Sequence, residues 1–394
     1  MTERLYYTDS FLREFDAQAI SCEASGERFE VVLDRTAFYP TSGGQPHDTG
    51  RLGDANVVDV FDREADHTIL HVTDRPVLPG AVHGAIDWER RFDHLQQHTG
   101  QHLLSAAFLK LFRFPTVSFH LGREISTIDL EAPSVVPRHI EEAERLANLV
   151  IFEDRPIAVS FREKEELTGL GVRKQVEREG TLRLVGIEEF DIQPCGGTHA
   201  ARTGQVGAIL VRKIERQKQL WRVEFVCGAR AIRGARSDFE ALGAAAREIG
   251  CGPAELPGMV KKLIEEGKRA NRERGRTMER VAEFEAQSLL ARGEKIIVHA
   301  FDEGDAVFVR RAAATLAKQP GVQAVVASRA ARHFVFARAE DAAGDMNLLL
   351  REVLTPAGGK GGGTKEFAQG TVPEAANLDE LLARARERMA RENT

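Results

Sequence analysis

Through the first ninety residues, short apolar stretches alternate with polar positions at 17–22, 29–33, 57–61, 69–72 and 82–86, with Gly, Asp and Pro between them. That pattern predicts short strands joined by turns, closing into a small β-barrel over residues 1–90. The period then changes. Over 91–112, Leu95, Leu103, Ala107 and Leu111 recur at helical spacing, which predicts a helix with His98 and His102 on one face and His94 one turn earlier on the same face. A second helix is expected over 137–153, strands at 156–161, 182–185, 208–214 and 220–226, and a third helix over 229–249. Residues 91–240 therefore read as one α+β domain.

From Leu256, apolar or small positions alternate in steps of four and three (Val260, Leu263, Gly267, Ala270), lapse at Arg274 and Thr277, and resume at Val281, Phe284 and Ser288. A lone helix with so weak a centre would not persist, so the pattern predicts a helix packed against another helix or domain, within a linker over 241–292. Its many basic residues read as a solvated face or as a stripe facing nucleic acid. Beyond Gly293 the pattern becomes βαβ-like: a strand at 296–300, a helix at 306–319, strands at 324–328 and 334–339, and a helix at 347–354. A glycine-rich stretch, 358–365, and an amphipathic helix through Leu378, Leu381, Leu382, Ala385 and Met389 complete an α/β domain over 293–394. The expected fold class is α+β.

Composition narrows the setting. The chain has 394 residues, 42% hydrophobic and 29% charged, enough for two or three domains with real cores. No apolar run is long enough to cross a membrane, and the first fifteen residues lack the apolar core of a secretory signal. Four cysteines without framework spacing suit a reducing cytoplasm, with Cys22, Cys227 and Cys251 expected as plain buried or half-buried thiols. A net charge of −6 gives no general pull toward nucleic acid, so such a partner would need local basic patches. A homo-oligomer is compatible with the sequence.

The chemistry concentrates in two half-sites, His98-Thr-Gly-Gln-His102 and Cys195-Gly-Gly-Thr-His199. Two glycines let the second curl tightly enough to aim thiolate and imidazole at one point. Three imidazoles and one thiolate form a borderline-soft set suited to zinc. An isolated HxxxH is usually a pair of surface or core histidines, and on geometry alone His94 with His98 would serve as well as His98 with His102. Threonine follows His98 where zinc proteases carry the glutamate base, which argues against a peptidase.

Phe38-Tyr-Pro-Thr-Ser-Gly-Gly-Gln-Pro-His-Asp-Thr-Gly50, His98-Thr-Gly-Gln-His-Leu-Leu104, Ser118-Phe-His-Leu-Gly122, Cys195-Gly-Gly-Thr-His199 and Arg222-Val-Glu-Phe-Val-Cys-Gly-Ala-Arg-Ala231 resemble the editing domain of alanyl-tRNA synthetase. They resemble still more closely its free-standing AlaX-type trans-editing relatives. The last third, with its glycine stretch and Ala368-Gln-Gly370, is similar to the synthetase's C-terminal DHHA1 domain, as in the long form of the editing family.

The resemblance implies a zinc-dependent hydrolase that cleaves the ester joining serine, and perhaps glycine, to the terminal adenosine of alanine tRNA. It implies one zinc per chain on His98, His102, Cys195 and His199, leaving His94 as a neighbour of the site or a solvent-facing residue. It points to Thr41 as the partner of the serine hydroxyl, to Gly43 and Gly44 as places where backbone approaches the adenosine, and to Gln45 as a substrate contact. His120 and Asp129 are weaker candidates for the pocket wall, where a structural role is as common. Asp191 and Gln193, just ahead of Cys195, are placed to support a ligand histidine. The stretch around Lys360, Gly361, Gly362 and Lys365 reads as an anion nest contacting the tRNA backbone or as a flexible loop. It lacks the Walker arrangement. The alternative function, from another class, is a non-catalytic, zinc-stabilised tRNA-binding module.

Overall fold

The computed structural model describes residues 2–167 and 180–392, and the chain divides into two compact units, Met1–Ala244 and Ala245–Thr394. The first unit opens with β1 (Glu3–Arg4), which pairs in parallel with β4 (Arg35–Thr36). Between and after them run β2 (Glu14–Ser25), β3 (Arg28–Leu33), β5 (Gly50–Leu52), β6 (Ala55–Arg63), β7 (Thr68–Thr73) and β8 (Gly80–Ile86). These six pair in the order β2-β3-β7-β6-β5-β8, and β8 returns antiparallel to β2, closing a barrel. Alternation turns Phe15, Ala17 and Ala19 inward from β2 to meet Val31, Leu33, Leu52, Val57, Val60 and Ile69. Polar residues join them, His71 chief among them. His71 is fully buried, with Nδ1 3.1 Å from the Val31 carbonyl and Nε2 2.8 Å from the Thr36 hydroxyl, so both ring nitrogens are satisfied.

α1 (Trp88–Phe112) follows the barrel, started by Asp87, whose carboxylate accepts the Arg90 N–H, and stopped by Arg113 in the left-handed conformation. It is buried on all sides from His94 to Phe108, which a helix with one wet face would not be. Around it lie the sheet β14-β15-β10-β9, formed by β9 (Thr116–Leu121), β10 (Ser126–Leu130), β14 (Ile209–Gln217) and β15 (Leu220–Cys227), and the helix α2 (Pro137–Phe152). Leu103, Leu104 and Phe108 of α1 pack with Ile128, Val150, Val223 and Phe225 from these elements. A three-stranded sheet, β11 (Ile157–Glu163), β12 (Thr181–Ile187) and β13 (Asp191–Pro194), and a helix, α3 (Gly228–Ile249), complete the elements that begin in the first unit.

The second unit begins with α4 (Leu256–Leu290), whose burial departs from the heptad expectation. Only Ala282, Ala286 and Leu289 are buried, where the helix packs with α5 (Ala306–Leu316), while Val260, Leu263 and Ile264 are exposed. The expected seam fails beyond its break as well: Val281, Phe284 and Ser288 are exposed, and the buried face falls instead on Ala282, Ala286 and Leu289. The sheet runs β16-β17-β18-β20-β19: β16 (Ile296–Phe301) is parallel to β17 (Gln323–Ser328), and β18 (His333–Arg338), β20 (Phe367–Thr371) and β19 (Lys360–Gly363) continue it antiparallel. Val325, Phe334 and Phe336 face α6 (Met346–Leu354) and α7 (Leu378–Glu392), while Ala324, Val326 and Val335 face α4 and α5. The glycine-rich stretch is neither nest nor loop. It is the edge strand β19, lying so close to β20 that a Cβ on Gly361 would come within 2.3 Å of the Gln369 carbonyl oxygen and one on Gly363 within 2.2 Å of that of Phe367. Among the described residues no helix is long and apolar enough to cross a membrane.

Candidate metal centre

The buried middle of α1 carries polar side chains, several of which find partners from distant segments. Arg91 and Asp48, both fully buried, pair at 2.5 Å, and Arg91 also donates to the carbonyls of Ser10 and Ala37. Asp48 accepts the N–H of Tyr39, so this pair fastens the 38–48 segment to the helix. Breaking such a buried pair from one side typically costs about 3–5 kcal/mol.

Two turns on, His98 and His102 meet Cys195 and His199, which the glycine-bearing turn after β13 delivers. One ligand atom from each of the four lies within 4.8 Å of the others. Nε2 of His98 is 3.5 Å and Nε2 of His199 3.2 Å from the Cys195 sulfur. The remaining ring nitrogens face outward to partners. Nδ1 of His98 is 2.7 Å from Oε1 of Gln45, Nδ1 of His199 is 3.3 Å from the Thr99 hydroxyl, and Nδ1 of His102 is 3.7 Å from the Asp191 carboxylate. His98 and His199 thus have Nδ1 engaged from outside and Nε2 turned to the sulfur, and His102 has a carboxylate beside its Nδ1, which fits a cation with soft and borderline ligands. Gly197 is required by close approach: a Cβ there would sit 2.1 Å from Cε1 of His98.

The electrostatics agree. Burial alone would push the Cys195 thiol up, yet His98 and His199 beside it outweigh burial and hold it well below its ordinary value. Burial pushes His199 down to about 3, which keeps its ring neutral. His102 is opposed by burial but raised by Asp191 and Cys195 to about 9, so a cation arriving there displaces a proton.

The other residues singled out in the sequence fall in several places. Gln45 is buried and engaged: its carbonyl accepts from His98 and from the N–H of Thr198, and its amide donates 2.8 Å to the Thr198 hydroxyl. It orients a ligand histidine. Gly44, at φ +85, packs on Phe119, whose ring lies 5.1 Å from that of His98, while Gly43, at φ +54, has open space around it. Thr41 is exposed, its hydroxyl 3.1 Å from Nδ1 of His47 and accepting the His47 N–H. His120 is exposed and, by strand alternation, lies on the face opposite Phe119. Asp129 forms a two-pronged ion pair with Arg222 and accepts from Ser118, a structural arrangement. Gln193 is buried with Nε2 unpartnered. His94 is not solvent-facing: it is only 3% exposed and stands outside the four-residue cluster. Lys360 and Lys365 are exposed in and beside β19.

Sequence reasoning missed Arg183, Thr99 and Thr198. Arg183 donates to the carbonyls of Cys195 and Gly197 at 2.6 and 2.9 Å and so holds the thiolate-bearing turn, but nothing in its strand context marks it. Thr99 and Thr198 lie inside the two motifs, where their small hydroxyls gave the only signal.

Residues 182–224 match the threonyl and alanyl tRNA synthetase second additional domain, and residues 293–391 match the DHHA1 domain. The chain is 34% identical to the alanyl-tRNA editing protein AlaX-L of Pyrococcus horikoshii, over 94% of this chain and 95% of that protein. It is 31% identical to the alanyl-tRNA editing protein Aarsd1 of Mus musculus, covering 95% of each. The alanine–tRNA ligase of Pyrococcus furiosus is 33% identical over 98% of this chain, which spans only 43% of that enzyme.

Proposed function

The chain belongs to the alanyl-tRNA editing protein family, and we propose that it deacylates mischarged alanine tRNA by cleaving the ester that joins serine, and secondarily glycine, to the terminal adenosine. The observation that carries this reading is the convergence of His98, His102, Cys195 and His199 on one point. We assign that point to a single zinc ion. Bound there, zinc would supply a fixed positive charge able to polarise the ester carbonyl or to anchor the substrate amino group. Gln45, Thr99 and Asp191 keep the three rings turned the right way, and Arg183 holds the turn bearing the thiolate. Thr41 sits on the same 38–48 segment as Gln45, so a hydroxyl-reading group and a ligand-orienting group move as one piece. A site that hydrogen-bonds the serine hydroxyl can discriminate against its absence by roughly 10⁴–10⁵-fold. The exposed β19 edge, with Lys360, Gly361, Gly362 and Lys365, is our candidate for tRNA backbone contact, through its cationic side chains.

One observation favours a second reading. Four protein ligands leave no open position, which is the usual mark of structural zinc. The protein would then be a zinc-stabilised module that binds charged tRNA without cleaving it. Alanine tRNA charged with serine or with alanine, incubated with the protein while ester loss is followed, separates the two. Faster loss of serine supports the hydrolase; tight binding with no loss of either ester supports the module.

A further inference from the structure

α1 borders a second feature one turn before His98. A cavity of about 930 Å³ is lined by Pro46, Trp88, Phe92, His94, Arg123 and Arg233, among others. It adjoins the metal centre through two residues. Pro46 follows Gln45, which is bonded to His98, and His94 precedes His98 by four positions, about 6 Å along the helix axis. His94 is only 3% exposed, its Nδ1 is buried without a hydrogen-bond partner, and burial pushes its pKa down to about 4. A neutral imidazole so placed has unmet hydrogen-bonding capacity against the cavity. The charges are not all spent. Asp87, Glu89 and Asp93 also line the cavity, but Asp87 caps α1 and Asp93 is matched by Arg230 at 2.5 Å, while Arg90 donates to the His47 carbonyl and Arg123 and Arg233 form no ion pair among the described residues.

We propose that this cavity takes the unpaired nucleotide immediately preceding the terminal adenosine of the tRNA, its base lying against Trp88 and Phe92 with an edge bonded to His94, and its phosphate held by Arg123 and Arg233. The proposal rests on the deacylase reading above. Single-stranded RNA is recognised through these three handles together: a π-face, a base edge and a phosphate. A site beside the metal centre is also where the strand must pass if the terminal adenosine carries its ester to that centre. Nothing in the metal cluster itself grips the strand, so this cavity would set the approach of the ester.

The test compares two substrates that differ only in the strand: serine-charged alanine tRNA and 3′-O-seryladenosine, which ends at the terminal nucleoside. Arg123→Ala/Arg233→Ala removes two exposed side chains and spares the fold; His94→Phe is the second variant. The expected result is a KM for the charged tRNA raised on the order of tenfold, with kcat held and seryladenosine hydrolysis unchanged. An uncharged minihelix with a CCA overhang should also lose its binding advantage over one lacking the overhang. Equal effects on both substrates, or no effect on either, overturn the assignment of the cavity while leaving the deacylase reading intact. Wild-type protein that cleaves neither substrate removes that reading and this inference with it.

Discussion

Oε1 of Gln45 lies 2.7 Å from Nδ1 of His98, and this contact selects the nitrogen that faces Cys195. Because the same oxygen accepts from Thr198, one amide ties the 38–48 segment, α1 and the Cys-Gly-Gly-Thr-His turn together. Gln45→Leu keeps the bulk and removes all three side-chain bonds. Zinc affinity should fall by about 10–100-fold, the usual loss when a ligand's supporting partner is removed. Competition with a chromogenic chelator measures it, and an affinity equal to wild type would show that packing alone orients the ring.

Stoichiometry tests the ligand set. Purified protein should carry one zinc per chain, and Cys195→Ala or His199→Ala should lose most of it by metal analysis. His94→Ala should retain it, since His94 lies outside the cluster. Zinc that survives loss of Cys195 and His199 would move the centre elsewhere.

Thr41→Val should slow cleavage of the serine ester and erode the preference for serine over alanine, because valine keeps the shape and loses the hydroxyl. A single neutral hydrogen bond is worth about 0.5–1.5 kcal/mol, or roughly 2–12-fold in rate ratio. Zinc content should not change, since the Thr41 hydroxyl contacts His47 and no ligand. Side-by-side rates on both esters decide it; an unaltered ratio would place recognition of the hydroxyl in another residue.

The barrel should be sensitive to acid through His71. Burial lowers its pKa to about 4, against 6.5 in an exposed state, so the unfolded chain binds the extra proton first. Stability from this group is complete above about pH 6.5 and falls as pH drops toward 4, by up to about 3 kcal/mol. His71→Gln should flatten that part of the profile relative to wild type in denaturant melts across the range. A slope that matches wild type would assign the acid lability to other groups.

A chain ending at Gly250 should keep the hydrolytic centre and lose grip on tRNA. Cutting at 293 instead would leave Ala282, Ala286 and Leu289 of α4 stripped of the α5 surface that buries them. The shortened protein should cleave seryladenosine normally, bind tRNA more weakly and show a shallower salt dependence. Undiminished tRNA binding would place all of the affinity in the first unit.

The two motifs were legible because their chemistry is rare and their spacing local: four residues bring paired ligands onto a helix face or around a turn. Most elements were legible for a similar reason, since β2, β3, β6, β7, β8 and α1 each carry a clear period. β5 and β13, with three and four residues, are too short to show one. Gln45 read as a substrate contact because its true partner is 53 positions away and no local pattern encodes that distance. The glycines of β19 suggested an anion nest, whereas Gly361 and Gly363 answer a steric demand from β20. For α4, spacing forecast a seam through Val281, Phe284 and Ser288, but the helix meets α5 through Ala282, Ala286 and Leu289, which the four-and-three pattern passed over.

The bond between Gln45 and Thr198 spans 153 positions, and that between His98 and Cys195 spans 97. During synthesis, both histidines of α1 leave the ribosome long before the thiolate that will join them. A centre built from such distant contacts forms late and slowly. Until then the nascent chain carries a buried-helix sequence rich in unpaired polar groups and a reactive cysteine still to come. The supply of the metal proposed for this centre and the thiol redox state would therefore bear on how much of this protein reaches its native form, quite apart from how fast the finished molecule works.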